Sequence, residues 1–75
     1  LAKVIVHYLH ERVRIADIHN PSHDVSIIWL KQITDETGFE IIYVAALRSV
    51  GIPARLETHG HAEFFSDGKW QSAPN

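Results

Sequence analysis

Residues 44–55, Val-Ala-Ala-Leu-Arg-Ser-Val-Gly-Ile-Pro-Ala-Arg, impose a helix-to-strand junction that few small folds accommodate. The segment leading into it carries Phe39, Ile41, Ile42, Val44, Leu47 and Val50, apolar around most of a helical circumference. Such a helix belongs at the buried centre of a domain. Thr37-Gly38-Phe39-Glu40 fits a capping box at its start, with Thr37 as the cap. Gly51 is placed to take the left-handed closing conformation, and Pro53 prevents continuation. Beyond Pro53 the period becomes two, with Ala54 and Leu56 alternating with Arg55 and Glu57. Asp67-Gly68 then marks a two-residue hairpin that sets Ser66 opposite Lys69 and Phe65 opposite Trp70. The expected class is α+β: a central buried helix packed on a small antiparallel sheet, with Leu56, Phe65 and Trp70 against the helix.

The first half is less constrained. Leu1, Val4, Ile5, Tyr8 and Leu9 form the apolar stripe of an amphipathic helix over residues 1–12. Residues 13–15 fit a short extended piece, and residues 19–24 carry turn chemistry around Asn20-Pro21. Ser26 is a candidate cap for a short helix over residues 27–33, and Ile27-Ile28-Trp29-Leu30 equally fits a buried irregular run.

Seventy-five residues make one small domain, 1–75, and the chain has no cysteine, hence no disulfide and no thiolate metal ligand. Apolar content of 45% with 21% charged residues fits a packed chain, not a disordered one. A net charge of −2 with no basic stripe argues against nucleic acid as a partner. No apolar run approaches a membrane span. The chain opens inside a helical pattern and stops just after a strand-like one, so it reads as a piece of a longer protein.

The Gly-Ile-Pro-Ala-Arg segment at 51–55 and Asp67-Gly68-Lys69-Trp70, at this separation, resemble the transglutaminase-like superfamily of papain-type fold. The resemblance runs from about Asp35 to Trp70 and implies a partial transglutaminase-like core. In that family a nucleophilic cysteine opens the central helix, where the helix dipole favours thiolate. A histidine on the following strands is the base, and a third polar residue orients it. Carried over by position, the nucleophile falls on Glu36, fifteen residues before Gly51. Spacing back from the hairpin puts the histidine at His59, whereas the family's His-Ala pair stands at His61-Ala62. The third residue falls on Pro74, with Asn75 next to it. Residues 15–35, together with 42–45 and 48–49, resemble a branch found in large multidomain proteins of gut-type bacteria, whose members commonly lack the cysteine. The resemblance therefore implies a pseudoenzyme with degenerate positions Glu36, His59 and Asn75. It also implies neighbouring domains as partners and an extracellular or periplasmic location. A groove retained for peptide or glycan would place Thr37, His61, Glu63 and Trp70 on the binding surface.

Several residues admit plainer readings. Six histidines invite a metal site, and His59, His61 and Glu63 share one face if the strand includes them all. Yet at ~3.3 Å per residue His59 and Glu63 lie about 13 Å apart, too far for one ion. No metal or other cofactor is therefore expected. A metal-assisted hydrolase using His59 and His61 with a ligand from elsewhere, such as His7 or His10 of the first helix, is the alternative reading. Arg48 is expected to pair with an acidic neighbour at the helix end, and Asp35, Glu36 and Glu40 to form a solvated cap. Trp70 opposite Phe65 is expected in the core.

Overall fold

The computed structural model describes residues 1–75. Helix α1 (Ala2–Arg12) is followed by strand β1 (Arg14–Ile15), helix α2 (Val25–Lys31), strand β2 (Ile33–Thr34) and helix α3 (Glu36–Ser49). Strands β3 (Ala54–Leu56), β4 (Ala62–Ser66) and β5 (Lys69–Ser72) complete the chain. The class is α+β, as the period change at Pro53 implies. The last three strands form an antiparallel sheet in the order β3-β4-β5 that packs on α3. A second, parallel pair joins β1 to β2, with Arg14 opposite Ile33 and Ile15 opposite Thr34. No helix is long and apolar enough to cross a membrane.

Helix α3 is the centre of the core, as its apolar circumference requires. Phe39, Ile42, Tyr43, Val44 and Leu47 are all buried, joined by Val6, Leu9 and Val13 from α1 and its exit, Ile28 from α2, and Ala54 and Ala62 from the sheet. Its end is a Schellman closure. Gly51 sits at φ +84°, the Ile52 amide donates to the Leu47 carbonyl at 3.0 Å and the Gly51 amide donates to that of Arg48 at 3.0 Å. The start differs from the capping box read from the sequence. Asp35, not Thr37, is the cap, and its carboxylate accepts from the Gly38 amide at 2.9 Å. Gly38 decides the matter: a β-carbon there would collide with the Thr34 hydroxyl, so the backbone of the first turn lies flush against a fully buried threonine. The cap thus lies two residues before Thr37. Glu40, freed from the box, turns instead to the Ala62 amide of β4.

The ambiguous stretch is helical over Val25–Lys31. Its cap is Asp24 and not Ser26: one Asp24 carboxylate oxygen accepts from the amides of Ser26 and Ile27 and from the Ser26 hydroxyl. Gln32, at φ +61°, ends the helix and turns the chain into β2. Arg48 has no acidic partner. Its Nε donates to the Ala54 carbonyl at 2.9 Å, tying the end of α3 to the first residue of β3.

The hairpin register is as expected, with Ser66 opposite Lys69 and Phe65 opposite Trp70 across a turn in which Asp67 and Gly68 both have positive φ. The face is not. Ala62 and Phe64 point toward α3, so alternation sends Glu63 and Phe65 to the opposite side. Trp70, paired with Phe65, is 36% exposed on that outer face, edge-on to Phe65 at 5.5 Å and covered by the Arg55 guanidinium at 3.8 Å. Leu56 is likewise exposed at the sheet margin. The core assignment of Trp70 thus gives way to a surface ladder of Arg55, Glu63, Phe65 and Trp70. Cross-strand aromatic and cation–π contacts of this kind contribute about 1 kcal/mol each at exposed sites. Trp70→Ala is accordingly expected to cost about 1–2 kcal/mol in urea denaturation, far below the cost of removing a core ring. A loss as large as that of Phe39→Ala would mean that the indole is a core residue after all.

Candidate functional site

The start of α3, the turn before β4 and the last residue of the chain enclose a cleft of about 320 Å³. Glu36 and Thr37 line it from the first turn of α3, His59 and His61 from the β3–β4 connection, and Asn75 from the C-terminal segment. The positions singled out as degenerate catalytic residues, scattered over forty residues of chain, therefore meet in one place, and two of the four expected binding residues, Thr37 and His61, join them. Phe39 and Ile15 supply the apolar wall. The other two, Glu63 and Trp70, lie on the outer ladder. Glu63 is bound to Arg55 at 2.7 Å and does not line this cleft.

The histidines are placed by carboxylates rather than by one another. The β3–β4 connection is a tight turn with Gly60 at φ +86°, not a strand, and β4 begins only at Ala62. His59 and His61 consequently do not share a strand face, as the sequence reading supposed. Glu57 organises the turn: one oxygen accepts from the His59 and His61 amides at 2.8 and 3.0 Å, and the other lies 3.2 Å from His59 Nδ1. The His61 amide first, and His59 second, hold the Glu57 carboxyl below the usual carboxylate range. His61 Nδ1 instead faces Glu40 Oε1 at 3.5 Å. Glu40 is mostly buried, accepts from the Ala62 amide at 3.4 Å, and leaves its Oε2 without a partner.

At the helix start, Asp35 is held below its usual range chiefly by the Gly38 amide, with the His23 ring at 3.0 Å adding to the effect. That His23 contact pins the 16–24 connection across the first turn of α3. Asn75 is turned away from the cleft histidines. Its Oδ1 accepts from His10 Nε2 at 2.7 Å, and the His10 ring stacks on Phe39 at 4.4 Å. The Tyr43 hydroxyl donates to the Pro74 carbonyl at 2.7 Å and so anchors the same C-terminal segment.

Chemically, the arrangement offers two carboxylates, two imidazoles, a hydroxyl and an amide, with no thiol. Thr37 makes no hydrogen bond to a histidine, and neither histidine is oriented by Asn75. No three His, Asp or Glu side chains converge to hold a metal ion. Glu57 and His23 were missed by sequence reasoning, and His10 serves Asn75 rather than a metal. Glu57 sits two residues before His59 with a glycine following, which is a turn signal. The His10–Asn75 bond joins residues 65 apart and leaves no local trace.

No family model matches the chain, and no curated protein or solved structure is matched by it.

Proposed function

We propose that this chain is a transglutaminase-like core that has lost its nucleophile and serves as a non-catalytic module of a larger, exported bacterial protein, with the cleft at α3 as a seat for an extended peptide or a glycan. The observation that supports this reading is the convergence of Glu36, Thr37, His59, His61 and Asn75 on one cleft without a cysteine. Acyl transfer through this cleft needs a group that attacks a carbonyl and then leaves. A thiolate at a helix start does both; a carboxylate is a poor nucleophile toward amides, and the anhydride it forms collapses back. The remaining machinery is diverted as well. His61 faces Glu40, His59 faces Glu57, and the amide of Asn75 is committed to His10.

Purified protein is expected to show no amine incorporation, amidase or protease activity, and Glu36→Cys is expected not to restore any. Restoring the thiol alone leaves the histidines with their carboxylates and Asn75 with His10. Turnover by the unmodified chain that disappears in His59→Ala would overturn the reading. If that turnover also required added zinc, the chain would instead be a metal-assisted hydrolase working through His59 and His61.

A further inference from the structure

The ends of α1 and α2 carry positive charge that the rest of the chain does not answer. Arg12 closes α1, Arg14 opens β1 and Lys31 closes α2. The Arg14 amide donates to the Gln32 carbonyl at 3.0 Å, so the ends of both helices meet at the β1–β2 pair. None of these three cations has a carboxylate within ion-pair distance, whereas Arg55 is bound to Glu63. Glu11, next to Arg12 in the chain, turns back to His7 at 3.3 Å. In a chain of net charge −2, one end is therefore locally positive. Helix C-termini favour cations, which accounts for Arg12 and Lys31 standing there. It does not account for what surrounds Arg12.

Tyr8, Arg12, Trp29 and Gln32 line a pocket of about 220 Å³. Each of the four side chains carries a polar group and none is acidic. None of them makes a hydrogen bond within the fold. Arg12 stacks its guanidinium on the Tyr8 ring at 3.8 Å. Stacking fixes the guanidinium plane and leaves N–H edges to receive a carboxylate in two parallel bonds. Trp29, with its ring 6.4 Å from that of Tyr8, is 46% exposed and offers a broad apolar surface with one N–H donor. Gln32, held at φ +61° by the turn into β2, adds an amide that both donates and accepts.

We infer that this pocket binds one uronate residue of an acidic polysaccharide, with the carboxylate on Arg12, the C–H face of the pyranose on Trp29 and hydroxyls on Gln32. The lining selects the class of ligand. A bare anion such as phosphate answers Arg12 and leaves the indole wet. A neutral sugar answers the indole and the amide and leaves the guanidinium unpaired. An acidic peptide side chain brings a carboxylate without a ring. A hexuronate carries a carboxylate, hydroxyls and an apolar face on one rigid ring, and further carboxylates along the polymer meet the field of Arg14 and Lys31. The pocket is below the size of drug-sized sites and suits a single ring. It shares no lining residue with the α3 cleft and does not depend on how that cleft is used.

The test follows Trp29 fluorescence in a Trp70→Phe background while tetragalacturonate, its methyl ester, tetraglutamate and inorganic phosphate are titrated in turn. Tetragalacturonate is expected to change the emission and saturate. The neutral ester, which keeps the rings and hydroxyls, is expected to bind about tenfold more weakly, the loss of a charge-assisted hydrogen-bonded pair. Arg12→Gln should weaken tetragalacturonate by the same factor and leave the ester unchanged. Lys69→Gln, which removes one positive charge from the β4–β5 hairpin, should leave both unchanged and so separates local charge from net charge. Arg12 and Lys69 are exposed, so circular dichroism should show both variants folded. No saturable change, equal affinity for acid and ester, indifference to Arg12→Gln, or phosphate or tetraglutamate binding as tightly as tetragalacturonate would each overturn the proposal.

Discussion

Phe39→Ala is expected to remove about 3–5 kcal/mol, the usual range for deleting a buried ring. Phe39 is 1% exposed and stands in the first turn of α3, where the helix is fixed by the Asp35 cap. It backs the cleft on one side and carries the stacked His10 on the other, so its removal also loosens the bond that seats Asn75. A chain of this length has roughly 4–11 kcal/mol of total stability at the usual ~0.05–0.15 kcal/mol per residue. The substitution is therefore expected to remove a large share of the total stability and to shift the urea midpoint strongly downward. Urea denaturation followed by circular dichroism measures it, with Trp70→Ala as the comparison. Trp70 is the larger ring, and it should cost less because it stands on the outer face of the sheet. The reverse order would mean that the layer assignment of α3 and the sheet is wrong.

The second large effect is expected in alkali. Tyr43 is fully buried on α3, and its hydroxyl donates to the carbonyls of Pro74 at 2.7 Å and Ala2 at 3.2 Å. Burial, with the Glu40 carboxylate nearby, pushes its pKa up to about 12 from an ordinary 10.0. The neutral phenol is thus favoured in the folded chain, whereas the unfolded chain ionises first. The folded state loses nothing below pH 10 and becomes progressively less stable between pH 10 and pH 12. By linkage the loss over that window amounts to about 2–3 kcal/mol. Tyr43→Phe should abolish this window while costing about 1–3 kcal/mol at neutral pH, because two carbonyls lose their donor. Stability measured at pH 9, 10, 11 and 12 separates the two. A Tyr43→Phe profile as steep as that of the unchanged chain would mean that another group carries the alkaline transition.

What the sequence disclosed follows the range of the forces involved. Closure of α3 at Gly51 and the 67–68 turn depend on residues within a few positions of each other, so Gly51, Asp67 and Gly68 announced them. The register of β4 against β5 followed from the turn alone. Which face of that hairpin meets α3 did not, because Phe65 and Trp70 are as apolar as Phe64 and differ only in phase. That phase is set by Ala54 and Ala62, whose small side chains let the sheet approach the helix. The cap was misplaced for a different reason. Thr37 satisfies the local pattern, but so does Asp35 three residues before Gly38, and the pattern alone does not choose between two capping residues so close together. The parallel pairing of β1 with β2 joins two-residue strands across an intervening helix, and neither strand is long enough to carry a period. At the cleft, only the resemblance grouped Glu36, His59, His61 and Asn75, while the partners that orient them, Glu57, Glu40 and His10, became visible only in three dimensions.

The Asp35 cap has an electrostatic consequence for the evolution of this cleft. A helix start offers a developing oxyanion free amides and the positive end of a dipole. Here the Gly38 amide already faces a carboxylate of the chain itself, and Glu36 adds a second negative charge one residue further on. An incoming anion would meet its own competitor, installed permanently and held in register by His23. Any path by which this helix start came to stabilise an incoming anion would have to dismantle the cap first, trading the foldedness of the central helix for reactivity. That trade keeps the first turn of α3 closed to anions.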